Sequence, residues 1–179
     1  MSAVKISDWL TVASQPDRET LAAVARQGFA AVINNRPDGE DTSQLDNASE
    51  RALLGQAGLA YSFIPVTGTT ITAADIQAFQ QATSGAKGPV YAHCRSGTRS
   101  LTLHVLGEVL DGRMKPGEVA AFGRSHGFDL SGAVDWLARQ AARVPQVTGF
   151  HEPRTGSIQY VVSDPGTRRC AIIDPVYDF

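Results

Sequence analysis

Cysteine is scarce in this sequence. Only Cys94 and Cys170 occur in 179 residues, far apart and in dissimilar surroundings. That excludes a disulfide scaffold and fits a reduced, cytoplasmic protein with a free thiol. Long apolar runs are missing as well. No stretch approaches the ~20 residues of a membrane-spanning helix, and MSAVKISDWLTVASQ lacks the uninterrupted apolar core of a secretory signal. Neither sign of charge dominates. Sixteen Lys and Arg against 18 Asp and Glu leave a net charge of -2, so nothing global calls for nucleic acid or a membrane as partner. The histidines His104, His126 and His151 have no ligand-like spacing with one another or with either cysteine, so neither metal nor cofactor is expected. Repeats and low-complexity tracts are absent. What is present is 42% hydrophobic and 19% charged residues, the composition of a soluble domain that buries roughly two-thirds of its unfolded surface.

Along the chain, helices alternate with short apolar strands. Asp17 is placed to cap a helix through LAAVARQ that stops at Gly28. FAAVI reads as a buried strand, followed by the polar loop NNRPDGED with a turn at Pro37-Asp38-Gly39. A helix through SERALLGQA ends at Gly58, and YSFIPV is the next strand. Thr72-x-x-Asp75 has the form of a capping box opening ADIQAFQQAT. PVYAH is a further strand, and PGEVAAFGRSH and SGAVDWLARQAARV read as helices. This alternation predicts an α/β domain over residues 1–146, a mostly parallel central sheet flanked by helices with ligands at the carboxyl ends of its strands. Residues 147–179 read as a linker and a C-terminal β-hairpin tail, SIQYVVS and RCAIID around Asp164-Pro165-Gly166. A lone hairpin is marginal, so it is expected to pack on the domain, to pair with another copy in a homo-oligomer, or to begin something larger. Cys170, on one of its strands, reads as a small core residue.

In VYAHCRSGTRSLTLHVLGEVL a strand runs into a cysteine, a small polar loop and a helix expected to begin near Ser100. Backbone N–H groups of Arg95, Ser96, Gly97, Thr98, Arg99 and Ser100 would then curl around the Cys94 sulfur, with the positive helix end behind them. Arg99 supplies a planar fork for an oxyanion, and the Ser100 hydroxyl is in position to bond the sulfur. All of this favours thiolate over thiol, so Cys94 is the expected nucleophile. The plainer alternative is a buried, inert cysteine before an ordinary helix.

HCRSGTRS resembles the active loop shared in outline by cysteine-dependent phosphatases and rhodanese-type sulfurtransferases. With VASQP, GFAAVINNRPDGE, YSFIPV and GFDLSG, residues 3 to 145 resemble the bacterial beta-lactamase-hydrolase-like phosphatase-like domain family. The resemblance implies a dual-specificity-phosphatase fold, and some members resemble sulfurtransferases in activity. Residues 148 to 179 resemble the first hairpin of metallo-β-lactamase-fold persulfide dioxygenases, which are found fused to this domain. Their His-x-His-x-Asp-His motif is absent, so no metal chemistry carries over.

Two features separate phosphoryl from sulfur transfer. The phosphatase pattern has five residues between cysteine and arginine, whereas only Arg95, Ser96, Gly97 and Thr98 lie between Cys94 and Arg99. Cys-Arg-x-Gly-x-Arg is the six-residue form common in rhodanese-like proteins. Phosphomonoester cleavage also wants a carboxylic acid to protonate the leaving group, and the loop after YSFIPV, Thr67-Gly68-Thr69-Thr70, contains none. Asp75 reads as a helix cap; Asp38 and Glu40 remain as rim carboxylates, a turn residue and a solvated charge in the plainer reading. Asn34 and Arg36 are placed on the same rim, as anion contacts or as ordinary surface groups. His93 either orients the loop or is a satisfied core histidine, and Arg95 is expected to point outward. The expected activity is sulfur transfer from thiosulfate or a related persulfide donor through a Cys94 persulfide to a thiol such as glutathione, with a persulfide dioxygenase domain as a further partner. A cysteine-dependent phosphatase, or a non-catalytic persulfide-sensing or docking domain, are the alternatives.

Overall fold

The computed structural model describes residues 3–142, 144–165 and 168–175. A first compact unit extends to Val134, and a second begins at Asp135.

The first unit is built on a five-stranded sheet: β1 (Val4–Lys5), β2 (Leu10–Ala13), β3 (Ala31–Asn34), β4 (Ala60–Phe63) and β5 (Val90–His93). The spatial order is β1-β2-β5-β3-β4, with β1 antiparallel to β2 and the remaining neighbours parallel. This is the expected mostly parallel sheet. Strand β5 is central and every one of its residues is buried, which is why VYAH carries an unbroken apolar run rather than an alternation. Strands β1 and β2 are additions to the sequence reading; LTVA is too short to show a period of its own.

The register determines where the site lies. His93 pairs with Ala13 on one side and Asn34 on the other. The carboxyl ends of three parallel strands therefore finish level, delivering the segments that begin at Ser14, Asn35 and Cys94 to one rim of the sheet.

Helices cover the sheet. Asp17 caps α1 (Arg18–Val24), its side chain accepting from the Thr20 N–H at 2.7 Å, and a 3₁₀ turn then closes at Gly28. Helix α2 (Asn47–Gln56) is capped by Asp46, and α3 (Ala73–Ser84) opens with the expected Thr72–Asp75 capping box. Helix α4 (Thr98–Leu110) buries Leu101, Leu103, Val105 and Leu106. It starts two residues before the expected position, because Gly97 at φ 91 turns the chain directly into the helix. Helices α5 (Val119–Ser125) and α6 (Ser131–Ala141) follow. On one side of the sheet Leu21, Val24, Val32, Leu54, Leu59 and Tyr91 form a continuous core cluster, with Phe29 set edge-on against Tyr91. No helix among the described residues is long and apolar enough to cross a membrane.

The second unit corrects the expectation of a linker and two strands. Gln146–His151 is a strand, β6, pairing antiparallel with β7 (Ile158–Asp164), which pairs with β8 (Arg169–Ile173). Gly166 of the expected turn lies outside the described residues. The register puts Val147, Ile158, Tyr160 and Ile173 on one face and Phe150 and Ile172 on the other, and all six are exposed. Cys170 is exposed on β8 rather than packed in a core.

Candidate active site

Cys94 leaves the end of β5 with no solvent exposure. Its backbone N–H donates to the Ala13 carbonyl at 3.3 Å, and the Arg95 carbonyl accepts from the Gln15 N–H at 3.4 Å. The VASQP segment thus supports the cysteine loop from behind. At the loop's turn the Gly97 N–H donates to the Cys94 sulfur at 3.1 Å. A side chain at Gly97 is doubly excluded, by the positive φ and because a Cβ would stand 3.0 Å from Phe128 Cε1 and 3.3 Å from the Ala13 carbonyl carbon. Phe128 belongs to the GFDLSG segment, so that stretch serves the loop by packing. The amino end of α4, thirteen residues long, abuts the same loop. A backbone donor and a helix terminus thus both meet the loop that carries the sulfur.

The Ser100 expectation is corrected. Its Oγ is fully buried and has no hydrogen-bond partner among the described residues. With α4 starting at Thr98, Ser100 falls inside the first helical turn and the sulfur takes its bond from Gly97 instead. Ser96 and Thr98 bond each other through their hydroxyls at 3.1 Å, and Arg95 is exposed as expected.

Asn34, His93 and Arg36 are not open rim groups. All three are buried, organised around Glu50 of α2, a residue the sequence reading did not single out. The Glu50 carboxylate accepts from Gln15 Nε2 at 3.1 Å, Asn34 Nδ2 at 2.9 Å and the Tyr61 hydroxyl at 3.2 Å, with His93 Nε2 3.1 Å away. Burial, reinforced by the Glu50 charge, pushes the Tyr61 phenol above its usual range and keeps it a donor. Asn34 Oδ1 in turn accepts from the Arg36 N–H at 2.8 Å. One sequence signal was available: Glu50 and Leu54, four apart, share the buried face of α2, and a carboxylate there needs partners.

The carboxylates considered as acids each have hydrogen-bond partners among the described residues, as has Asp41, which accepts from the Ser43 N–H at 2.8 Å and hydroxyl at 2.6 Å. Asp75 Oδ2 accepts from the Thr72 N–H at 2.8 Å and the Thr72 hydroxyl at 2.7 Å. Asp38 is not a contact to the loop; it accepts from the Asn47 N–H at 2.9 Å. Thr67 and Thr70 close their turn on each other. Glu40 bridges two arginines: Oε1 lies 2.8 Å from Arg99 Nη1, and Oε2 accepts from Arg99 Nη2 and from Arg36 Nε, each at 3.1 Å. Burial works against the Glu40 charge, but the bonds from Arg99 and Arg36 outweigh it and hold the carboxyl below its ordinary range. Groups of three or more side chains able to hold a metal ion do not occur among the described residues. A cavity of about 640 Å³ lined by Trp9, Gln80, His104, Glu108 and Arg113 includes none of the loop residues.

Comparison with known proteins identifies the family and the fold. Residues 4–111 match the family described as the beta-lactamase hydrolase-like protein, phosphatase-like domain. The chain is 56% identical over all 179 residues to a beta-lactamase hydrolase-like protein of Agrobacterium fabrum, and spans 42% of that relative's length. A Neisseria meningitidis protein provisionally described as a phosphatase superposes with a TM-score of 0.68 at 31% identity, over 78% of this chain and 98% of that one. The cysteine-to-serine variant of Pseudomonas aeruginosa TpbA, solved with phosphotyrosine, superposes at 0.56 with 18% identity, over 79% and 91% of the two chains. These likenesses show a phosphatase-like fold. The chain belongs to the beta-lactamase hydrolase-like, phosphatase-like domain family.

Proposed function

We propose that this chain works through a covalent intermediate on Cys94, and that the group it carries is sulfane sulfur. One observation supports that choice over phosphoryl transfer: among the described residues, each carboxyl group the sequence offers as an acid is held by hydrogen bonds, and Asp41, which feels the Arg95 charge, is taken up by Ser43. Asp75 and Asp38 are tied to backbone N–H groups, the turn at Thr67–Thr70 has no acid, and Glu40 is held as an anion between Arg36 and Arg99. An alkoxide leaving group needs a proton from a positioned acid; sulfite leaves as a stable anion.

In this reading the Cys94 thiolate attacks the outer sulfur of thiosulfate. The S–S bond breaks, its electron pair departs with sulfite, and a Cys94 persulfide remains. A thiolate such as that of glutathione then attacks the outer persulfide sulfur, taking it away and returning the Cys94 thiolate. A persulfide-oxidising domain is a natural consumer of that product, and the exposed three-stranded sheet a surface for its docking or for a second copy of the chain. The donor's oxyanion end falls to Arg99 and the loop N–H groups.

The second reading is a cysteine-dependent phosphatase, and the phosphatase-fold neighbours support it. One experiment separates the two. Intact mass is recorded after thiosulfate and again after glutathione, for the wild type and Cys94→Ser. Addition of one sulfur atom after thiosulfate, Cys94-dependent and matched by release of one sulfite, followed by its removal by glutathione, is the expected result. Rapid hydrolysis of a phosphotyrosine peptide with no sulfur addition sinks sulfur transfer and leaves the phosphatase.

A further inference from the structure

An arginine that is to grip a substrate anion presents two parallel N–H groups to it. In this protein Arg99 Nη2 already donates to a carboxylate of the same chain, Glu40, at 3.1 Å, while Nη1 pairs with it by charge alone, 2.8 Å from Oε1 but without an aligned hydrogen bond among the described residues. Glu40 is not a loose surface acid that happens to reach it. Its loop is pinned by Asp38 on the Asn47 N–H and by Gln44 Nε2 on the Pro37 carbonyl, both at 2.9 Å. Gly39 turns the chain at φ 80 immediately before Glu40. Arg36, almost wholly buried, holds one Glu40 oxygen from the other side and is itself steadied by Gln15 Oε1 at 3.3 Å. The carboxylate is delivered to Arg99 by an ordered loop and a fixed second cation.

We infer that Glu40 is a specificity-determining residue, an internal carboxylate that competes with the substrate for the Arg99 fork. The inference rests on the reading of the Cys94 loop as an oxyanion site and extends it to the kind of anion admitted. A tethered carboxylate acts at an effective concentration in the millimolar range or above, so a free carboxylate at modest concentration gains little by approaching Arg99. A doubly charged tetrahedral oxyanion, thiosulfate or a phosphate ester, has more charge and more acceptor oxygens to offer the fork and the amino end of α4. Glu40 then keeps Arg36 as its partner, and the buried Ser100 hydroxyl, without a partner among the described residues, stands in the first turn behind the loop. The filter passes small dianions and holds back the abundant monocarboxylates of a cell.

The test uses two alkylating reagents that differ in charge. Iodoacetate is a carboxylate and iodoacetamide is neutral, and peptide mapping reports Cys94 separately from the exposed Cys170. In the wild type, iodoacetate should gain little from Arg99. In Glu40→Gln one edge of the fork is released, and the ratio of iodoacetate to iodoacetamide rates at Cys94 should rise roughly five- to tenfold, the worth of one partly screened charged bond. Glu40→Asp, shorter by one carbon but still charged, should stay near the wild-type ratio. The neutral reagent corrects for any change in access, so a purely structural role for Glu40 leaves the ratio where it was. An unchanged ratio overturns the inference. A lowered ratio overturns it too, showing that Glu40 positions Arg99 for the anion. If neither reagent modifies Cys94 in either protein, the reactive-loop reading fails and this inference with it. A raised ratio in a protein that forms no persulfide would leave the filter standing and remove sulfur transfer alone.

Discussion

His93 Nε2 and Glu50 Oε2 lie 3.1 Å apart with both side chains sealed from solvent, directly behind the residue expected to be the nucleophile. Glu50 gathers donors from β3, β4, β5 and the segment after β2 onto one carboxylate. The pair therefore joins the strands whose ends make the site.

Removing that carboxylate should be costly, because the donors around it stay buried. Glu50→Ala is expected to lose about 3–5 kcal/mol, and Glu50→Gln about 1–3 kcal/mol, since an amide N–H₂ must now face other donors. Thermal unfolding followed by circular dichroism checks this, at roughly 2–4 °C per kcal/mol for a chain of this size. A midpoint within a degree of wild type for Glu50→Ala would show the network to be ornamental.

Gly97→Ala should damage stability and reactivity together. The new Cβ meets Phe128 and Ala13 at a backbone φ of 91, a strain worth about 1–3 kcal/mol. Any relief moves the Gly97 N–H away from the Cys94 sulfur. Denaturant titration and the rate of Cys94 alkylation by iodoacetamide are the paired measurements. A destabilised protein with wild-type Cys94 reactivity would dissociate the turn from the chemistry.

Asp75→Ala should do the reverse. Loss of the capping box is expected to cost about 0.5–2 kcal/mol while sulfur loading of Cys94 continues at the wild-type rate. A large drop in turnover of phosphate esters in this variant, with stability little changed, would identify Asp75 as the general acid of a phosphatase.

Acid sensitivity has a readable source in the helix caps. Bonds from Thr20 hold the Asp17 carboxyl below its ordinary range, and bonds from Ser49 do the same for Asp46. A carboxyl depressed in the folded state contributes stability above its unfolded-state value and loses it as pH falls through the folded one. Stability should therefore fall as pH drops below the ordinary carboxylate range. Asn, which caps without titrating, should flatten that limb when placed at position 17 or 46. Equal slopes in wild type and variants, from urea titrations across the acid range, would place the sensitivity elsewhere.

The three-stranded sheet should drive self-association. Val147 and Ile158 on one face and Ile172 on the other are exposed apolar groups. Ile158→Ser with Ile172→Ser is expected to shift the elution of the protein toward the monomer at high concentration. A wild type that is monomeric at every concentration would remove the basis for an assembly through this sheet.

Some of this was legible from sequence because it is local. A cysteine between a buried four-residue strand and a helix, with glycine inside the loop, specifies a turn and a helix end whatever surrounds them. Asp17 and the Thr72–Asp75 box announce their helices for the same reason, since a cap needs only residues within one turn. The strand–helix alternation likewise specified a mostly parallel sheet. What tertiary structure alone decided were the partners of the charged groups. Asn34 and His93 meet Glu50 because parallel register brings strand ends level across the sheet, and no spacing along the chain encodes that level. The same folding gives Arg99 a partner 59 residues away and leaves Ser100 without its expected bond. Residue type declares what a side chain can bond, but burial and register choose with whom.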